Sequence, residues 1–205
     1  TYVKNPKPDI EEPYALANFG LALLDAGDAE SAQPIVEKLQ KMAIADGGAA
    51  FWKLETSTPF YGWGTAGQIE TTALVVQLLL KFKAQNPKFK AGEISDLISK
   101  GTLYLLKNKD RYGVWYSTQT TINVLNAITD NASGEANENQ PERVAEIYAN
   151  GQKTGEIKLP PANELSFPQI AQIPENFLSA NNLIEIKITG SASATMGQIV
   201  QTHYI

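Results

Sequence analysis

Cysteine and histidine, which build most metal centres and many catalytic ones, are almost missing from this chain. Its 205 residues contain no cysteine and a single histidine, His203. Without cysteine there are no disulfide bonds, Cys-ligated zinc ions or thiol nucleophiles. One histidine likewise disfavours a histidine metal cage or a Ser-His-Asp triad. We therefore expect no metal, cofactor or catalytic residue, and we predict that His203 is a surface or interface residue.

Excess positive charge and long apolar runs are also missing. Lys and Arg number 17 against 22 Asp and Glu, which gives a net charge of -5 and a pI near 5.0. This balance disfavours nucleic acid and anionic membranes as partners. The longest apolar run is broken by Gln77 and is too short to span a bilayer. The chain opens at Thr1 without a signal peptide or lipidation motif, which suggests a processed or excised segment.

A segment that occurs twice gives the strongest indication of architecture. Tyr61-Gly62-Trp63 precedes Glu70-Thr71-Thr72, and Tyr112-Gly113-Val114-Trp115 precedes Gln119-Thr120-Thr121, each followed by an apolar run. A period of roughly 50 residues is typical of stacked supersecondary units, here helical hairpins. No single hairpin can bury its apolar face alone, so the sequence predicts a helical array.

Capping signals and apolar periodicity predict five helices, at about residues 9–26, 28–46, 65–85, 93–108 and 117–130. Residues 9–12 and 65–68 have capping-box spacing, and Asp28 and Ser117 are the predicted N-caps of helices two and five. Gly27 suits the C-terminal cap of helix one. Residues 47–64 are predicted to be a loop rich in aromatic side chains.

The predicted helices are of two kinds. Helices two and four carry one apolar stripe with charge on the other side, whereas helices one, three and five are apolar over most of their circumference. A helix with one stripe borders solvent, and a helix that is apolar nearly all round is covered on several sides. The alternation predicts an inner layer of helices one, three and five and an outer layer of helices two and four. This is the pattern of a partial α/α toroid.

The composition changes after Asn131. Residues 132–141 are polar and are predicted to be a linker, and from there the apolar period falls to two. Asn150-Gly151 is a strong hairpin signal between residues 144–149 and 154–159. Further strands are predicted at residues 167–173, 184–188 and 199–205. The predicted fold class is therefore α+β with two domains: a partial α/α toroid at 1–131 and an antiparallel β-sandwich-like half domain at 142–205.

The repeated motifs resemble those of the α-2-macroglobulin and complement thioester-protein family. Residues 68–73, Gln-Ile-Glu-Thr-Thr-Ala, are similar to the family's helix opening of the type EATSYALLAL. Residues 112–121 are similar to its GGF/YxSTQxT segment. In that family the thioester domain is an α/α toroid inserted into a CUB-like β domain. The resemblance therefore implies the latter part of a toroid followed by returning CUB-like strands.

One departure from the family limits what the resemblance implies. The family's Cys-Gly-Glu-Gln centre is missing, and no histidine lies in the predicted helical part. The resemblance thus implies a non-catalytic scaffold fragment of a protease-trapping protein, an endopeptidase inhibitor, bacterial in style and extracytoplasmic. Its expected partners are other domains of the parent protein and, through the parent, proteases. An incomplete ring leaves an apolar edge, which we expect a homodimer or a rearrangement to cover.

Six residues near helix starts are predicted to act in capping and packing: Trp63, Gln68, Glu70, Trp115, Ser117 and Gln119. Glu70 and Gln119 occupy equivalent positions near inner-helix N-termini, where a carboxylate interacts favourably with the helix dipole. The alternative for Glu70 is a general acid, but its repeat partner Gln119 cannot titrate. Ser117 as a nucleophile would need an activating base that the sequence does not place beside it.

The tryptophans carry the alternative functions. Trp52, Trp63 and Trp115 lie beside glycines between outer and inner helices, and we predict that each plugs one end of the helical layer. The same residues could instead form an aromatic ligand platform. That interpretation favours an α/α-toroid enzyme acting on a polysaccharide or terpenoid, or a general binding or adhesion module.

Overall fold

The computed structural model describes residues 11–59, 62–110, 112–134, 143–160, 169–189 and 199–200. The chain forms two compact units, residues 1–134 and 135–205. The first unit is helical and the second is built around a β-sheet. The predicted mixed α+β fold is thereby confirmed.

Five helices form the first unit among its described residues: α1 (Pro13–Asp25), α2 (Ala29–Met42), α3 (Thr65–Gln85), α4 (Ala91–Lys107) and α5 (Thr118–Gly134). Helix α3 packs against α1 on one side and α5 on the other. Helix α2 packs on α1 and α3, and α4 packs on α3. The helices thus form an inner layer, α1–α3–α5, with α2 and α4 outside it. Because α5 continues to Gly134, residues 132–134 are helical and not part of the predicted linker.

Helix α3 lies at the centre of the core. Its buried residues point in every direction around the axis and include Ile69, Val75, Val76 and Phe82. Helices α1 and α5 bury one face each. The prediction that inner helices are covered on several sides is therefore right for α3 and wrong for the other two. Each of those has an inner-layer neighbour on one side only within the described residues.

The junction between α1 and α2 follows the sequence signals closely. Gly27 has a φ of 77°, and its amide and that of Asp28 bond to the carbonyls of Leu24 and Leu23. Asp28 Oδ1 then accepts a hydrogen bond from Ser31 N at 3.1 Å, which caps α2. The box predicted at residues 9–12 lies mostly outside the described residues. Glu12 is the N-cap of α1 but makes no side-chain capping bond.

A small β-hairpin replaces the predicted C-terminal end of helix two. Strands β1 (Ile44–Asp46) and β2 (Ala49–Phe51) pair antiparallel. The prediction that the helix continues to residue 46, with a loop after it, is wrong. Gly47 and Gly48 have φ values of 52° and 83°, as a two-residue type I′ turn requires. Glycine takes these angles without steric cost, so the pair closes a hairpin where a helix would otherwise fray.

Three antiparallel strands form the second unit among its described residues: β3 (Arg143–Ala149), β4 (Gln152–Leu159) and β5 (Ile184–Thr189), in the order β4-β3-β5. Asn150 and Gly151 connect β3 to β4 with φ values of 52° and 81°. The Asn150 amide group donates to Phe177 O at 2.9 Å and its oxygen accepts from Leu183 N at 3.0 Å. One turn residue therefore closes the hairpin and also fixes the start of β5.

The two faces of this sheet differ in polarity. Ala145, Ile147 and Ala149 pair with Ile188, Ile186 and Ile184, so one face is apolar. On the other face Lys153 bridges Glu146 at 2.6 Å and Glu156 at 2.8 Å. The side-chain hydrogen bonds from Lys153 and Tyr148 lower the pKa of Glu146.

Two predicted strands are not formed where they can be checked. Residues 169–173 and 199–200 form no regular secondary structure and pair with no strand, while the rest of both predictions lies outside the described residues. Pro168 and Pro174 flank the first of these segments, and proline cannot donate to a strand ladder. None of the described helices combines the length and the apolarity that crossing a bilayer requires.

Candidate functional site: the segments that lead into helices α3 and α5

Two buried tryptophans join the outer helices to the inner layer. Trp52 and Trp115 are 0% and 2% exposed. Trp52 Nε1 donates to Leu39 O in α2 at 2.8 Å, and Trp115 Nε1 donates to Leu105 O in α4 at 2.7 Å. Both carbonyls belong to the last turn of their helix, where backbone partners become few, and Leu105 O also accepts from Asn108 N at 3.3 Å. Each indole thus satisfies an outer helix end and fills the space beneath it.

A threonine hydroxyl on the next inner helix accepts a hydrogen bond from the backbone N–H of each tryptophan. Trp52 N donates to Thr72 Oγ1 at 3.3 Å, and Trp115 N donates to Thr121 Oγ1 at 3.0 Å. The Thr121 hydroxyl also donates to Trp115 O. The structure therefore pairs Trp52 with Trp115 and Thr72 with Thr121 as equivalent residues. Sequence reasoning noted the recurring Thr-Thr pairs but not this contact.

Trp63 does not have the packing role that was predicted for it. Its side chain is 69% exposed, so it plugs nothing in the helical layer. The sequence alone makes Trp63 the equivalent of Trp115 in the repeat, because both follow a Tyr-Gly pair. In the structure residues 53–64 separate Trp52 from α3, whereas only residues 116–117 separate Trp115 from α5. The first repeat thus carries an insertion, and Trp63 lies at its end.

Glu70 is buried beneath this insertion. It is 1% exposed, and its Oε2 accepts a hydrogen bond from Thr58 Oγ1 at 2.8 Å. The same hydroxyl accepts from Gly62 N at 2.9 Å, so its proton points to the carboxylate. Glu70 Oε1 has no hydrogen-bond partner among the described residues. Glu70 therefore holds the insertion through Thr58, and the predicted contact with free N–H groups of the helix end is wrong. It lies more than one turn inside α3, beyond those groups.

Glycines allow this close approach. A Cβ on Gly62 would lie 2.6 Å from Thr58 Oγ1 and 2.8 Å from Glu70 Oε2. A Cβ on Gly67 would lie 2.6 Å from Gly62 O. All three separations are shorter than van der Waals contact, so only glycine fits at either position. Tyr14 completes the surroundings of Glu70: burial, followed by the nearby carboxylate charge, raises the pKa of this phenol.

Gln68 packs across to α4 and does not cap α3. Its Oε1 accepts a hydrogen bond from the Tyr104 hydroxyl at 3.0 Å. Tyr104 in turn stacks on Phe51 of β2, with ring centroids 4.9 Å apart. Burial, followed by the charges of Asp46 and Tyr116, raises the pKa of Tyr104 to about 12. The N-cap of α3 is Gly64, which offers no side chain, so the predicted capping box is not formed.

Ser117 and Gln119 lie at the start of α5. Ser117 Oγ accepts a hydrogen bond from Thr120 N at 3.1 Å, which is the geometry of an N-cap. Gln119 Nε2 donates to Asn123 Oδ1 at 3.3 Å, one helical turn ahead. Gln119 thus supports its own helix, whereas Glu70 binds a separate segment. The two residues share a place in the repeat and differ in what covers them.

The A-macroglobulin TED domain family, where TED denotes the thioester domain, matches residues 1–130. This chain belongs to that family. The matched residues cover the helical unit except for the last four residues of α5, 131–134. Thr72, Trp115 and Thr121 lie in the two segments that resemble the family's motifs, and their hydrogen bonds tie the outer helices to the inner layer.

In this thioester-domain chain the polar side chains at the helix starts make hydrogen bonds within the fold. Within the described ranges no three His, Cys, Asp or Glu side chains come together as metal ligands would. Glu70 is covered by Thr58 and Gly62, so a substrate cannot reach it in this conformation. The Ser117 hydroxyl is hydrogen-bonded to the backbone N–H and the hydroxyl of Thr120. His203 lies outside the described residues. A thioester cannot form within this chain, which has no cysteine.

Proposed function

We propose that this chain is a non-catalytic scaffold part of an α-2-macroglobulin-like protease-trapping protein. One observation carries the proposal: Thr72, Trp115 and Thr121, in the segments that resemble the family's motifs, are all engaged in hydrogen bonds that hold the fold together. Family membership supports the same conclusion. A segment without cysteine supplies shape and contact surface to its parent, and any thioester chemistry belongs to other residues.

In this proposal the chain acts through other parts of the parent protein. Its partners are neighbouring domains, and proteases are reached only through the parent. The compartment is extracytoplasmic, bacterial periplasm or exterior, because the family's targets are met there. The β unit serves as the CUB-like region that follows the helical unit. Family membership supports the extracytoplasmic compartment.

A protease-protection assay on the full parent polypeptide tests the proposal. A trapped protease keeps its active site but loses access to large substrates, because the trap excludes them sterically. We expect residual activity on a small peptide substrate and a large loss on a protein substrate. A parent carrying Trp115→Ala, which leaves a cavity and removes the indole hydrogen bond to the Leu105 carbonyl, should trap less. Equal activity on both substrates, with the wild-type parent, would contradict the proposal.

A second function has one observation in its favour. Trp63, Tyr112 and Tyr116 are 69%, 74% and 69% exposed at the starts of the inner helices. Such aromatic groups are typical of carbohydrate or terpenoid platforms, in an enzyme or an adhesion module. A turnover assay with Glu70→Gln separates the two: a catalytic carboxylate would lose activity, whereas a packing role changes only stability, by about 1 kcal/mol.

A further inference from the structure

The turn residue Asn150 is the one asparagine of the chain that precedes a glycine. An Asn-Gly pair is prone to lose the side-chain amide of its asparagine, because glycine has no side chain to hinder attack by its own backbone nitrogen. Both residues are exposed, so water and hydroxide reach them. The reactivity of Asn150 in the folded chain therefore depends on what holds its side chain.

Three hydrogen bonds hold the Asn150 side chain. Its Nδ2 donates to Phe177 O at 2.9 Å and to Asn182 Oδ1 at 3.1 Å. Its Oδ1 accepts from Leu183 N at 3.0 Å. The backbone is fixed as well, since Asn150 N donates to Leu183 O at 2.8 Å and the φ of Asn150 is 52°. All of these partners lie in residues 177–183, the segment that leads into β5.

Deamidation requires the side chain to leave this arrangement. In the reaction the Gly151 nitrogen attacks Cγ of Asn150, a C–N bond forms and the bond from Cγ to Nδ2 breaks. Ammonia leaves with the proton of the Gly151 amide, and the product is a cyclic imide. Water then opens the imide at either carbonyl, which gives aspartate or isoaspartate. Because Cγ has to approach the Gly151 nitrogen, the bonds that direct the side chain towards residues 177–183 have to break first.

The products cannot remake the bonds of the asparagine. An aspartate at position 150 would place an oxygen against two acceptors, Phe177 O and Asn182 Oδ1. Rotation of the Asn182 amide would offer a donor, but its Oδ1 accepts from Ser179 N at 2.7 Å and its Nδ2 donates to Ser179 O at 2.9 Å. Both of these bonds would then be lost. Isoaspartate also lengthens the main chain within a two-residue turn. Either product therefore loosens the start of β5.

We propose that Asn150 is a deamidation site that is protected while β5 is docked and becomes reactive when residues 177–183 separate from the turn. The co-reactant is water. Because neither product restores the donor bonds, the modification makes a transient release of β5 permanent. In the described part of the sheet β5 is an outer strand on β3, so its release frees that edge of β3 for pairing.

The rate at which Asn150 is converted tests this protection. The intact chain is incubated at pH 8 in buffer and in urea, and peptide mass spectrometry follows the conversion of Asn150 with time. Enzymatic methylation of isoaspartate identifies the second product. We expect conversion in urea to be faster than in buffer by about tenfold or more, because the folded chain reacts only through local opening.

Two neighbouring variants separate protection by hydrogen bonds from intrinsic reactivity. Asn182→Ala removes one acceptor of the Asn150 amide and should accelerate conversion in buffer by about threefold to tenfold. Asn181→Ala is the matched control, because it leaves the side-chain bonds of Asn182 in place, and it should not change the rate. In urea the wild type and both variants should react equally fast.

A second measurement tests the consequence for β5. Converted and unmodified chains are separated by ion exchange, and amide hydrogen exchange is measured for residues 184–189. These amides should exchange about tenfold faster or more in the converted chain, because its turn lacks the donor bonds.

Three results would overturn the proposal. The first is equal conversion of Asn150 in buffer and in urea, which would mean that docking of β5 gives no protection. The second is an equal rate for Asn182→Ala and Asn181→Ala in buffer. The third is unchanged hydrogen exchange of β5 after conversion, which would make the modification harmless to the sheet.

Discussion

A carboxylate buried in a helical layer needs a donor, and Glu70 receives one from Thr58. That hydroxyl also accepts the Gly62 N–H, so it bonds to two groups at once. Removing it would leave both groups without this partner in a place that water reaches poorly. Thr58 is 4% exposed and lies in a loop, where sequence patterns give no sign of its importance.

Thr58→Val should therefore lower the free energy of unfolding of the helical unit by about 2–3 kcal/mol. Valine has nearly the same shape, so the loss reports the hydroxyl and not the volume. The measurement is urea unfolding followed by tryptophan fluorescence. Thr58→Ser, which keeps the hydroxyl, is the matched control and should cost about 1 kcal/mol or less. Equal stability of the valine variant and the wild type would show that Glu70 is held by other groups.

The raised pKa of Tyr104 makes the free energy of unfolding of the helical unit fall as pH becomes alkaline. Its pKa is about 12 in the folded state against 10.0 ordinarily. Between these values the unfolded chain loses the proton and the folded chain keeps it, so stability present below pH 10 falls as pH rises towards 12. Tyr104→Phe should flatten this fall. Urea unfolding at pH 9, 10 and 11 measures both proteins, and parallel profiles would contradict the assignment.

At the scale of the element, the close packing of helix α4 on α3 depends on one glycine. Gly101 faces Val76, whose branched side chain has little freedom to move aside. Gly101→Ala should destabilise the helical unit by about 1–3 kcal/mol, because overpacking outweighs the gain of up to about 1 kcal/mol in helix propensity.

Gly92→Ala on the same helix is the matched control. A Cβ there would meet nothing within 4 Å. Its substitution should therefore stabilise the helix, by up to about 1 kcal/mol. Thermal unfolding of the two variants separates the effect of helix propensity from that of packing. If both variants are stabilised, the α3–α4 contact can accommodate a Cβ at Gly101 and the predicted overpacking is wrong.

The helices were largely predictable from sequence because their signals are local. The Gly27-Asp28 junction, the Ser117 cap and the apolar run of α3 each lie within a few residues of what they determine. The Asn150-Gly151 hairpin was predictable for the same reason. The β1–β2 hairpin was missed because residues 43–46 also suit a helix, and the Gly47-Gly48 pair decides between the two.

The candidate site was harder to predict because its contacts join distant parts of the chain. Glu70 and Gln119 align in sequence, but only Glu70 lies under an insertion. Trp63 and Trp115 both follow Tyr-Gly, and the pairing of Trp52 with Trp115 becomes visible only through their threonine partners. A repeat shows that two segments are related. It does not show which residue is the true equivalent when one of the two segments carries an insertion.

At the scale of the whole molecule, the two units have separate reporters. All three tryptophans lie in the helical unit, and Tyr148 lies in the sheet. Tryptophan fluorescence therefore follows the helical unit alone, whereas far-ultraviolet circular dichroism follows both.

Acid should destabilise the β unit. The lowered pKa of Glu146 means that its contribution to stability is present above the ordinary value of 4.5 and is lost as pH falls below it. Thermal unfolding at pH 6 and pH 3 should show a drop in the circular dichroism transition assigned to the sheet. Glu146→Gln should reduce that drop. A drop of equal size in the variant would place the acid sensitivity elsewhere.

The indoles of Trp52 and Trp115 have a consequence for how the helical unit can move. Each binds the last turn of one hairpin's outer helix, while its own amide is held by the following inner helix. Separating a single hairpin from the layer would break the indole hydrogen bond and open a cavity the size of an indole in the same step. Any motion that shifts these helices should therefore move neighbouring hairpins together.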